Sequence, residues 1–361
     1  MQKLNRSAEP AATSVDVAFR SGRPRLYFYP NSARGRSLNP YAERMMQELS
    51  RDFDIVNATK PSTNGALDIY RHIFQTDVVL LNWIENIPDR RGGIVQAFFV
   101  YVLLIARKVL GVRIAWVLHN KLSHTKSNAG LKSLLMRALV RHSDVIVTHA
   151  REGVDYACRI DRRAEGKIHF LHHPVDSFTV PEARDRALDI DVLIWGSMHA
   201  YKGVREFLER LGSRKAATPI RTLVWGHFPD ETYYQDCLEI SPPGVEIRNS
   251  IVSDEELRAL HERVRVVLFP YSPGSVLSSG ALMRSLDSAA SIVGPDVGAF
   301  RDLAEAGLVR TYRDPSEMIE VVEKALAEGG GPELLSARRA FFERTSWARQ
   351  TGEIARVIRG A

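Results

Sequence analysis

Short apolar runs recur along the first half of the chain: Arg25–Tyr29 (RLYFY), 53–56, 78–81, 114–118 and Val145–Thr148. Each is too short for a buried helix. Their β-branched, leucine and aromatic content reads as strands covered on both faces, which lose the usual in–out alternation. Helical segments lie between them. The first is Pro40–Leu49, where Asn39 can cap the first turn and Pro40 sits where a proline is tolerated. The spacing predicts two more over 94–110 and 129–141. Strands alternating with helices predict βαβ units and a parallel sheet.

The pattern restarts after a looser, charged stretch at 172–188. Strands are predicted at 191–195 (DVLIW), 222–225 (TLVW), 245–248, 266–270 (VVLFP) and 291–293. Helices are predicted at 204–211, 254–262, 280–288, 299–305 and 315–327. Two doubly wound halves would face each other across a cleft at the carboxyl ends of their strands. The expected division is a disordered leader at 1–23, a first domain at 24–175, a second at 187–345, and a final helix at 346–361 packing back on the first.

Composition adds limits. The 361 residues carry 45% hydrophobic and 25% charged side chains, an ordinary globular balance for two domains. The net charge of +6 is mild. It suits phosphate-bearing ligands or an anionic membrane surface. No basic block interleaved with aromatic residues argues for nucleic acid. Cys158 and Cys237 stand in unrelated segments, which suggests a reducing compartment. The leader has no apolar core of the secretory kind, so the expected location is cytoplasmic. The most apolar stretch, 94–106, holds thirteen residues, too few to span a bilayer. It reads either as a buried helix or as an interfacial helix with Arg107, Lys108 and Arg113 at lipid headgroups, peripheral to the inner membrane face.

Three segments carry chemistry. In the first, strand 191–195 ends at Gly196, and a short loop leads to Lys202-Gly203 at the next helix. The glycine permits close approach of a ligand, and the lysine adds a cation beside the positive end of a helix, an arrangement suited to a diphosphate. The bland alternative is an ordinary loop with a solvated lysine. The second segment holds Ser278, Ser279 and Gly280 before helix 280–288, hydroxyls that either cradle phosphate or ribose or simply cap the helix. The third, 292–303, has a Gly-Pro turn whose residues explain themselves by backbone geometry.

In their order and spacing, GSMHAYKG, VVLFPYS and SSGALMRSLDSAASIVGPDVGAFRDL resemble the nucleotide-sugar half of GT-B glycosyltransferases with a glycogen-synthase-like C-terminal domain. The N-terminal pieces NPYAERMMQEL, LNWIEN and WVLHNKLSH are similar to those of bacterial exopolysaccharide and capsule sugar transferases. The resemblance covers roughly residues 24–350. It implies an α/β fold of GT-B type, two Rossmann-like doubly wound domains facing a central cleft. It also implies transfer of a sugar from a GDP- or UDP-sugar to a saccharide or lipid-linked oligosaccharide, with the nucleotide sugar a substrate and no cofactor. The chain departs from that family at three positions. Val276 and Arg284 stand where many relatives carry glutamates, and Ser197 replaces an arginine after the first glycine. A sugar-nucleotide epimerase of the same fold, or a partner protein without activity, are the alternatives.

Sugar transfer needs charge stabilised on the leaving diphosphate and, in inverting enzymes, a base for the acceptor hydroxyl. The donor-side candidates are Gly196, Lys202, Ser278, Ser279 and Gly280, with Arg205 or Arg284 as a further cation. No Asp-x-Asp follows a strand; Asp189 and Asp191 open one instead, so no metal is expected. On the acceptor side stand Asn39, Tyr41 and Asn120. His119, His124 and Glu85 are candidate catalytic groups: histidine titrates near neutrality, and burial would raise the glutamate. His172-His173-Pro174 reads as a hinge.

Overall fold

The computed structural model describes residues 22–31, 39–59, 62–121, 127–180, 188–215, 218–272 and 276–360. All but the last two residues of the expected leader lie outside these, as does His124. The first sheet has six parallel strands: β1 (Arg25–Tyr29), β2 (Asp54–Ile55), β3 (Val78–Asn82), β4 (Arg113–Leu118), β5 (Val145–Thr148) and β6 (Ile168–Phe170), in the order β2-β1-β3-β4-β5-β6. The second repeats the design with β7 (Ile190–Trp195), β8 (Thr222–Gly226), β9 (Val245–Asn249), β10 (Val264–Leu268), β11 (Ser291–Pro295) and β12 (Arg310–Tyr312), ordered β12-β11-β10-β7-β8-β9. The five residues of β3 and the six of β7 are wholly buried, as continuous apolar strings in a covered parallel sheet should be.

Strand order reverses between β1 and β3 in one sheet and between β7 and β10 in the other. Loops leaving those strands frame the crevice of a doubly wound fold. They are the loops after Tyr29, Asn82, Trp195 and Leu268.

Several elements differ from the sequence expectation. Strands β6 and β12 and helices Arg151–Ile160, Glu231–Glu239 and Pro332–Thr345 were not anticipated. The helix expected at 94–110 is Gly93–Ala106, because Arg107 turns back to the Leu104 carbonyl at 3.0 Å and pairs with Asp144 at 3.1 Å. The helix expected at 280–288 stops at Ser285. There the fully buried Arg338 guanidinium takes the carbonyls of Ser288 and Ala290 at 2.7 and 2.8 Å, so those acceptors need no further helical turn.

The two sheets are tied together at several points. Leu277, in the second half of the chain, is buried in the core of the first sheet. Asn120 and Val276 form an antiparallel bridge, and Val175 pairs with Ser346. Helix Trp347–Arg359 packs on helix Pro40–Leu49, where Trp347, Ile354 and Ile358 join Phe28, Met45 and Leu49 in one core.

Candidate functional site

On the second domain the loop after β7 begins at Gly196, whose φ of +114° excludes most side chains. Nothing lies within 4 Å of where a Cβ would stand, so the strand end presents bare backbone to the crevice. The loop closes at Gly203, with φ +68° and a notional Cβ only 1.9 Å from the Pro270 carbonyl oxygen, so the loop after β7 is pressed against the end of β10. Between them Lys202 donates to the Tyr271 hydroxyl at 2.5 Å, its ammonium 4.0 Å from the Tyr271 ring centroid. That hydroxyl lies 3.3 Å from Ser279 Oγ. Lys202, Tyr271 and Ser279 thus form one polar chain across two loops. Ser279 caps helix Gly280–Ser285 and accepts from the Leu282 N–H, while the Ser278 hydroxyl is buried with no hydrogen-bond partner. Gly280 is exposed at the first turn.

Of the two further cations, Arg284 stays beside this loop. Its guanidinium lies 5.2 Å from the ring of Trp195, which immediately precedes Gly196, and it pairs with Asp254 at 2.5 Å. Arg205 does not join the Lys202 chain. It is bound to Glu209 and Asp236, both at 3.0 Å, and lines an outer groove of about 730 Å³ that touches the crevice loops only through Ala200, Gly203 and Ser272.

Across the crevice, β3 ends in Asn82 and the chain turns through Trp83 in left-handed conformation, φ +48°. Such a backbone costs a bulky residue on the order of 1 kcal/mol or more and marks an imposed geometry. The Trp83 ring stacks on His119 at 4.4 Å, and His119 Nε2 meets the Asn82 side-chain oxygen at 3.1 Å. Two residues on, Glu85 is 1% exposed, and no well-formed hydrogen bond reaches either carboxylate oxygen. Burial pushes its carboxyl up to about 7, with its own backbone N–H, the Asn120 side chain and the Arg90 charge drawing it partly back. Asn120 is also the residue that bridges to Val276, next to Leu277 and Ser278 of the other domain.

The acceptor-side candidates divide. Asn39 is the helix cap, its Oδ1 accepting from the Tyr41 N–H at 3.0 Å. Tyr41 is buried, its hydroxyl 2.6 Å from His149 Nε2, and its ring packs on those of Trp83, His119, His173 and Trp347. It supports the floor of the site. His173, read from sequence as part of a hinge, faces Tyr41 at 4.9 Å, while His172 turns to Phe341 at 5.3 Å. Burial holds the His119 imidazole well below its ordinary range, with His149 and His173 adding to the effect, so it is neutral near pH 7. Asp189 and Asp191 are consumed by ion pairs with Arg263, Arg221 and Arg265.

Tyr271, Trp83 and His149 were not foreseen. Tyr271 follows a predicted strand directly, which is the one signal that could have flagged it. The others depend on which loops the fold brings together.

No protein-family model and no curated protein matches the sequence. Solved structures do. Anabaena Alr3699/HepE, crystallised with UDP, with UDP and glucose, and with UDP-glucose, aligns over 94% of this chain and 100% of its own, with a TM-score of 0.66 at 10–11% identity. Sucrose-phosphate synthase from Thermosynechococcus elongatus aligns over 94% and 99%, with a TM-score of 0.66 at 9% identity. The fold is GT-B. AviGT4, a glycosyltransferase of avilamycin A biosynthesis, aligns over 94% and 99%, with a TM-score of 0.57 at 15% identity. Identities this low establish the GT-B architecture alone, and the chemistry must be argued from the crevice.

Proposed function

We propose that the protein is a glycosyltransferase that moves a hexose from a UDP- or GDP-sugar to a saccharide or lipid-linked acceptor in cell-surface glycan synthesis. The observation that carries this reading is the Asn120–Val276 bridge. It sets Glu85 and His119 of the first domain against the loop that continues into Ser278 and Ser279 of the second. One wall then offers a cation, two hydroxyls and bare backbone at Gly196, which suits a diphosphate. The other offers a desolvated carboxyl that titrates near neutrality, which suits work on a hydroxyl.

In the reaction the acceptor oxygen forms a bond to the anomeric carbon as the bond from that carbon to the diphosphate oxygen breaks. Lys202 leaves Tyr271 to meet the developing phosphate charge, with Ser278 and Ser279 donating hydrogen bonds. Ionised Glu85 receives or orients the acceptor proton, and neutral His119 donates to the sugar or acceptor. Lys202 is the cation that meets the charge on the leaving group in this reading. That HepE was crystallised with UDP-glucose, and that AviGT4 is named a glycosyltransferase, supports the donor class.

The test is thermal stability of the purified chain against UDP, GDP, CMP and their sugar conjugates, without added metal. A nucleotide at 100 times its Kd stabilises by about 2.7 kcal/mol. Lys202→Ala should lose most of that gain while remaining folded. A flat response to every nucleotide overturns the reading.

A further inference from the structure

Helix Gly93–Ala106 buries Gly93, Ala97, Val100, Leu103 and Leu104 against the first domain and leaves the rest of an apolar sequence in solvent. Ile94, Phe98, Val102 and Ile105 recur at helical spacing and are 62%, 60%, 37% and 52% exposed, and Val109 just beyond is 92% exposed. Val95 and Phe99 widen the stripe, and Phe74, 86% exposed, lies on the helical segment whose Tyr70 packs on Phe99. Among the described residues, seven of the twelve exposed large hydrophobic side chains fall between 94 and 109. A soluble surface scatters such residues; a contiguous stripe marks an interaction face.

The charge around this face narrows the partner. Between residues 90 and 143 the sequence has ten Lys and Arg and no Asp or Glu. Exposed Arg90 and Arg91 precede the stripe and exposed Lys108 follows it, so cations stand at both ends. The neighbouring helix Ala129–His142 adds exposed Leu134, Arg137 and Arg141. A second copy docked on this face, in either direction, would set arginine against arginine or arginine against lysine. The helix is 14 residues, about 21 Å, against the roughly 30 Å of a bilayer core. Among the described residues no helix is long and apolar enough to cross.

We propose that helix Gly93–Ala106 is a membrane-docking element that lies in the plane of an anionic phospholipid surface, its apolar stripe among the acyl chains and its flanking cations at the headgroups. The turn Ile84–Asp89 that carries Glu85 runs into this helix. Docking therefore holds the first-domain wall of the crevice close to the bilayer. The inference stands on the helix and its charge and does not require the transferase reading.

The experiment is co-sedimentation of the full chain with vesicles of phosphatidylcholine alone and with about a third phosphatidylglycerol, at low and high salt. Binding should favour the anionic vesicles and weaken with salt by roughly five-fold per cation engaged. Phe98→Ser combined with Ile105→Ser should cut the partition coefficient at least tenfold, while Ile251→Ser, 79% exposed on the other domain, should leave it unchanged. Thermal unfolding with and without nucleotide, run on the same samples, shows separately that the variants are folded and whether the transferase reading holds. Failure to bind anionic vesicles, or equal binding by the double variant, overturns the proposal. So does a dimer in sedimentation velocity that the double variant dissolves, which would assign the stripe to a second copy.

Discussion

Glu85 is the residue at which structure, stability and chemistry can be set against one another. Its carboxyl titrates at about 7, against an ordinary 4.5, because burial disfavours the charged form by more than its own backbone N–H, Asn120 and Arg90 recover. The folded pKa is raised, so folding is unpenalised below about pH 4.5 and loses stability as pH rises towards 7. With those two values the penalty is about 1 kcal/mol at pH 5, about 2 kcal/mol at pH 6 and about 3 kcal/mol at pH 8. Glu85→Gln keeps the shape and removes the ionisation. The variant should therefore match the parent near pH 4.5 and be more stable by about 3 kcal/mol at pH 8, while losing sugar transfer. Urea unfolding of both proteins at pH 5 and pH 8 measures the difference, and transfer assays over the same range should show the parent's rate rising through pH 7. A variant equally or less stable than the parent at both pH values would refute the argument, since an ionised and buried Glu85 could not then be costing anything.

Gly203→Ala should destabilise by more than 2 kcal/mol, since a Cβ there meets the Pro270 carbonyl and φ is positive; Gly196→Ala meets no neighbour and should cost less stability while impairing nucleotide binding, read by paired melts with and without UDP. Acid should unfold the protein early. Burial lowers His149 to about 3, His173 to about 4 and His119 well below its ordinary value, so unfolding takes up protons the folded state refuses. Stability should fall as pH drops below about 6.5, at up to about 4 kcal/mol per pH unit for the three together, and His149→Gln should flatten the profile by about a third, measured by urea unfolding between pH 6.5 and 4.5.

Most of the strands that could be read from sequence are buried on both faces, where an apolar run stands out from its surroundings; the exposed edge strands β2 and β9 were legible from their short β-rich runs alone. Three-residue β6 (IHF) and β12 (RTY) sit at sheet edges and carry no such run. Helix Glu231–Glu239 is mostly polar on an open surface, and its buried face reduces to Cys237. At the crevice, the positions of Lys202 and Ser279 were legible because a lysine and a serine stand beside glycines in loops that follow predicted strands. Their link through Tyr271 was not, since it depends on two loops meeting at Gly203. Tyr41 was expected to face an acceptor and instead lies beneath the site, because helix Pro40–Leu49 packs so that this ring fills the space among four other aromatic residues and His149.

Helix Trp347–Arg359 completes the core around Phe28, Met45 and Leu49 although more than 170 residues of another domain intervene. On a ribosome the first sheet therefore emerges long before the segment that covers one of its faces. That nascent half must wait, with Met45 and its neighbours unshielded, while the entire second domain is made. A chain released before residue 347 would hold a folded second domain beside an unfinished first one, the kind of intermediate that chaperones retain and proteases remove.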